Sequence, residues 1–109
     1  MADPHDLDPE EYAHWRAQGY PHTLLDVRRG DELLEATVED AVHIPERLIE
    51  ERSKEIPREK PVVVMDHRGE CSERVSAFLI TDGFQDVYCL MGGIDQYAVV
   101  VDPSIRRYE

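Results

Sequence analysis

The sequence predicts a three-layer α/β domain, a mostly parallel central sheet with helices on both faces. Three observations predict it. Val62, Val63, Val64 and Met65 form an unbroken, mostly β-branched apolar run, which suits a short strand buried on both sides of a parallel sheet. Thr23-Leu24-Leu25-Asp26-Val27-Arg28 reads as a second buried strand ending in charge. Around these two, strand-like and helix-like segments alternate, the order that builds a parallel sheet covered by helices.

The 109 residues are read as one domain, long enough for a single modest core. A hydrophobic content of 41%, placed at regular spacings, argues for a folded globule. The formal net charge of −12 argues against nucleic acid or an anionic membrane as a partner, since both would be repelled. No long apolar run predicts a membrane span, and no basic-plus-apolar leader predicts export. Cys71 and Cys89 make no disulfide framework, so the expected setting is a reducing cytoplasm. No cofactor motif is present, and nothing in the pattern sets the oligomeric state.

Residues 1–7 are expected to fray. Asp8-Pro9-Glu10-Glu11 starts a helix over 8–19: Asp8 caps, Pro9 takes the first helical position, and Glu11 completes an acidic capping box. Trp15 on that helix is a packing anchor. After Arg28 the chain is polar, with a helical turn near Glu32 to Glu35. Ala41 to Pro45 is a short strand closed by proline, and a lone His43 at its end is expected to be hydrogen-bonded structure. Pro45 to Ile56 reads as one charged helix with Leu48 and Ile49 inward. Val87 to Met91 is a further strand, with Cys89 a small buried hydrophobe in it. Gly92-Gly93 turns the chain, Ile94 to Tyr97 opens a short helix, and residues 101–109 form a C-terminal tail.

The functional reading centres on Pro61 to Phe84. Strand Val62–Met65 runs into the polar loop Asp66-His67-Arg68-Gly69-Glu70-Cys71, in which Gly69 supplies backbone freedom. A helix follows, with Ser72 as its expected N-cap, Val75, Phe78 and Leu79 on its apolar face, and Gly83 at its stop. Strand, loop and helix N-terminus together ring the loop with backbone N–H groups at the positive end of a helix dipole. An anion in that loop is stabilised. In an open parallel sheet, ligands lie beyond the carboxyl ends of strands, which brings Asp26 and Arg28 near the loop. That pair is read either as a structural ion pair or with Arg28 as an anion-binding group. Asp66, His67 and Cys71 alone, without a distant partner, do not make a metal site.

On these residues the chain resembles the rhodanese-like (sulfurtransferase) domain family in its single-domain bacterial type. The family's loop runs Cys-x-x-Gly-x-Arg-Ser. Gly69 and Ser72 match it, and His67 fits a Cys-His-His-Gly variant. Leu24-Leu25-Asp26-Val27-Arg28 resembles the family's first-strand signature and His43-Ile44-Pro45 a second element. Gly92-Gly93-Ile94 resembles the closing motif, with Tyr97 where tryptophan is usual. The tail Val101 to Tyr108 resembles one bacterial subgroup, so the likeness covers Leu24 to Tyr108.

Two positions depart from the pattern. Asp66 stands where the resemblance puts the nucleophilic cysteine, and Cys71 where it puts an arginine. A carboxylate suits an amide cradle but cannot store sulfur. The resemblance therefore implies a domain without conventional thiosulfate sulfurtransferase activity, a binding or regulatory module taking a protein partner or a small anion at the loop 66–72. The alternative is a sulfur-transfer or thiol-redox enzyme acting through Cys71. Proximity to a helix N-terminus favours a Cys71 thiolate, whereas Glu70, Glu73 and Asp66 oppose it and Arg68 and Arg74 offset them in part.

Overall fold

A computed structural model of the chain describes residues 3–70 and 72–109, with only the backbone of Ser72. Its elements in chain order are β1 (His5–Leu7), α1 (Pro9–Gln18), β2 (Thr23–Asp26), β3 (Val42–His43), α2 (Ile49–Arg52), β4 (Val62–Met65), α3 (Ser72–Thr81), β5 (Val87–Leu90) and α4 (Gly93–Val100). The five strands form one parallel sheet in the order β1-β5-β4-β2-β3. β4 lies at its centre, as the unbroken apolar run predicts.

Alternation along β4 explains why that run needs no polar residue. Val62 and Val64 pack on one face with Leu25, Val27, Ile49, Val75 and Leu79, beneath α2 and α3. Val63 and Met65 pack on the other with Leu24, Leu90, Tyr12, Ile94 and Tyr97, beneath α1 and α4. A strand covered on both faces puts every side chain in a core. All four residues of β2 and of β4 are buried.

Local signals set most of the boundaries. Asp8 accepts a hydrogen bond from the Glu11 N–H at 2.9 Å, Pro9 opens α1, and Gly19 closes it in the left-handed region. Three expectations change. His5–Leu7, within the segment expected to fray, is strand β1, paired in parallel with Tyr88–Leu90. Only Leu7 of the three is buried, so an edge strand with one inward side chain left no periodicity to read. The single helix expected over Pro45–Ile56 is broken into a 3₁₀ turn Glu46–Leu48, the short α2, and a 3₁₀ turn Ser53–Glu55. Ser72 is the first residue of α3 rather than the residue before it. No described helix is long and apolar enough to cross a membrane.

Candidate functional site

The carboxyl ends of β2 and β4 lie side by side. Asp26, the last residue of β2, is in register with Met65, the last of β4. The Val27 N–H donates to the Met65 carbonyl at 3.0 Å and carries the ladder past both strand ends. The charged residues that follow each strand therefore emerge together.

At the end of β2, Asp26 and Arg28 engage each other. Arg28 Nη2 donates to Asp26 Oδ2 at 2.7 Å, Nε donates to Oδ1 at 2.9 Å, and the Arg28 backbone N–H donates to Oδ1 at 3.1 Å. The two side chains are 0% and 1% exposed. Such a bidentate contact uses the guanidinium fork fully on one side. The remaining nitrogen, Nη1, donates to the Tyr108 hydroxyl at 2.9 Å. His43 donates through Nε2 to the Arg28 carbonyl at 2.8 Å and so ties β3 to the same point.

At the end of β4, Asp66 is 1% exposed. Its Oδ1 accepts the Gly69 N–H, which closes a tight turn in the loop. Gly69 has φ +88° and packs against the backbone of Gly92. Gly93 is tighter still. A Cβ there would stand 2.4 Å from the Asp66 carbonyl oxygen and 2.6 Å from that of His67. This close approach lets the first turn of α4 hold the loop: the Ile94 N–H donates to the Asp66 carbonyl at 2.8 Å, and the Asp95 N–H to the His67 carbonyl at 3.0 Å. The Gly-Gly turn is thus the seat of the loop, with unpaired first-turn N–H groups put to use.

The C-terminal tail forms the third wall. Tyr108 lies over His67 with ring centroids 4.0 Å apart and planes at 2°. His67 donates through Nε2 to the Tyr108 carbonyl at 2.9 Å, and the Tyr108 hydroxyl donates to Glu32 Oε2 at 2.7 Å. Burial pushes the Tyr108 phenol up to about 12, with Arg28 pulling it down and Glu32 adding to the rise. The strap is pinned further along by Arg107 on Asp95 at 2.9 Å and Arg106 on Glu35 at 3.3 Å. The hydrogen bond from Arg107 holds the Asp95 carboxyl below its usual range.

These walls enclose an open cavity of about 970 Å³, lined by Arg28, Asp66, His67, Arg68, Glu70 and Tyr108 among others. Asp26 is buried against Arg28 and does not line the cavity. The first five follow from the sequence pattern; Tyr108 and Glu32 do not. Tyr108 contacts a residue 80 positions away, a pairing no local pattern encodes. Cys71 lies outside the described residues. Cys89 is half-buried rather than buried, its sulfur 2.9 Å from Ser76 Oγ, and burial pushes its thiol up against the lowering effect of that hydrogen bond. Among the described residues no group of three or more His, Cys, Asp or Glu is arranged to hold a metal ion.

The sequence profile of the rhodanese-like domain matches residues 8–99. The chain is 33% identical over 89 residues to the thiosulfate sulfurtransferase GlpE of Pseudomonas syringae pv. syringae, covering 82% of each chain. It is 31% identical over 93 residues to a sulfurtransferase of Allochromatium vinosum, covering 85% of this chain and 87% of that one. Among solved structures, a rhodanese-like domain protein from Staphylococcus aureus superposes with a TM-score of 0.82 at 18% identity, over 96% of this chain and 99% of that one. At that identity the likeness is one of fold.

Proposed function

The chain belongs to the rhodanese-like family, and from that premise we propose that it serves as a binding or regulatory module rather than as a conventional thiosulfate sulfurtransferase. Asp66 carries the reading. Sulfur transfer needs a thiolate that attacks the sulfane sulfur of thiosulfate, forms an S–S bond and releases sulfite. The resulting persulfide then hands its outer sulfur to an acceptor such as cyanide, giving thiocyanate and regenerating the thiolate. Laid on the family's loop, Asp66 takes the place of that thiolate. Its carboxylate is buried and accepts a loop N–H, the bonding an amide cradle offers any anion, and an oxygen there forms no persulfide. The module would take a protein partner or a small anion at the loop, in the reducing cytoplasm its cysteine content suits.

A second reading has its own support. The curated relatives are named as sulfurtransferases, and a sulfur-transfer or thiol-redox role through Cys71 would keep that chemistry at a displaced position. Cyanide-dependent thiocyanate release from thiosulfate separates the two. The module reading expects background rates. Turnover abolished by Cys71→Ser and retained by Cys89→Ser would overturn it.

A further inference from the structure

The cavity above the loop has a chemistry of its own, set by a charged rim and aromatic walls that extend well beyond the loop. Its lining holds nine carboxylates and five guanidiniums, but most of the positive charge is already committed. Arg28 is bound to Asp26, Arg29 to Asp31 and Glu32, and Arg74 to Glu46 at 3.1 Å. Glu35 is held by Arg106. Among the described residues this leaves Glu50, Glu51, Glu70 and Glu109 without an ion pair, all exposed, against Arg47 and Arg68. The excess at the mouth is therefore negative, which of the two ligands considered for the loop disfavours the small anion and leaves the protein partner.

The walls between these charges are aromatic and apolar. Phe78 is half-buried on α3, and the stacked pair His67 and Tyr108 faces the same cavity from the loop and the tail. Pro45, Ile49 and Val75 complete an apolar lining. Aromatic surface interleaved with carboxylates is the chemistry that recognises a guanidinium, which stacks through its plane and donates through its edge. An ammonium uses the charge but gains less from the rings.

We propose that this cavity is the docking site for a cationic, arginine-bearing segment of a partner protein. The proposal rests on the module reading and names the partner's chemistry. Its arginines would lie against Phe78 and the His67–Tyr108 pair while the carboxylates of Glu50, Glu51 and Glu70 take their N–H groups.

The test is fluorescence anisotropy with a labelled twelve-residue peptide of Arg-Gly-Ser repeats, beside lysine and glutamate counterparts. The arginine peptide is expected to bind more tightly than the lysine one, with affinity falling steeply as salt rises, and the glutamate peptide not to bind. Replacing Glu50, Glu51 and Glu70 by glutamine should weaken the arginine peptide at least tenfold. The same charge change made far from the cavity, Glu10→Gln with Glu59→Gln and Asp86→Asn, should leave it within about twofold. Equal weakening by the two sets would mean that net charge alone is read, and the docking proposal fails. Failure of the arginine peptide to bind also overturns it, while background thiocyanate release in the same preparation leaves the module reading standing. Thiocyanate release that depends on Cys71, with the peptide bound as expected, overturns the module reading and keeps the docking site.

Discussion

Two aspartates sit at the carboxyl ends of adjacent inner strands, equally buried and differently satisfied. Asp26 faces a guanidinium that grips both of its oxygens. Asp66 turns back on its own loop and accepts a backbone N–H three residues on. The first carboxylate is one half of a charge pair that joins β2 to the tail through Tyr108. The second organises a turn, the one that our proposed function places at the nucleophile's position. Equal burial therefore does not mean equal role. What the carboxylate bonds to decides whether it serves the fold or the site.

Breaking each aspartate's arrangement separates the two. The largest effect is expected at Arg28. Arg28→Met leaves Asp26 buried without its counter-charge, and removal of one partner from a buried pair costs about 3–5 kcal/mol. The urea midpoint should fall accordingly with an unchanged slope. A loss under about 1 kcal/mol would mean that water reaches Asp26 and the pair is not closed. At Asp66 the expected effect is smaller. Asp66→Asn keeps an acceptor oxygen but loses the charge-assisted bond, for a loss of about 1–2 kcal/mol near neutral pH. A neutral or stabilised Asn variant would show that α4 alone holds the turn, without the carboxylate.

The smallest effect is expected at the strap that joins the two regions. The Tyr108 phenol is raised from 10.0 to about 12 by burial, so the fold favours its neutral form. That contribution is fully present below pH 10 and is lost as pH rises through about 12. Tyr108→Phe should cost about 1 kcal/mol at pH 8, and the gap to wild type should close between these two values. Denaturation midpoints of both proteins across that range check it. A gap that stays constant would place the Tyr108 hydroxyl in water rather than between Arg28 and Glu32.

The same comparison shows what the sequence made legible. β4 announces itself because a strand covered on both faces carries an unbroken apolar run, and Val62 to Met65 supplies both cores at once; β2 does so through Leu24 and Leu25, one in each core. The loop between β4 and α3 follows from the strand before it and the helix after it. β1 does not, since His5 and Asp6 are exposed and the strand exists only because β5 offers an edge. The break in residues 45–56 is illegible for a related reason: charges at helical spacing predict a helix whether or not the chain stays helical throughout. At the site, Asp66, His67 and Arg28 were legible from local pattern and strand ends. Tyr108 was not, because its place depends on a tail that returns across the sheet to meet residues far back in the chain.

The central claim is that the loop is an intact cradle with a carboxylate in the nucleophile's place. Its most direct test is thiocyanate release by wild type, Asp66→Cys, Cys71→Arg and the double variant. Asp66→Cys alone should give weak turnover, since Glu70 and Glu73 still repel thiosulfate. Adding Cys71→Arg should raise it further, more steeply at low salt where the attraction is unscreened. Wild type and Cys71→Arg should stay at background. A folded double variant as inert as wild type would contradict the claim and mean that the loop no longer has the geometry of a cradle.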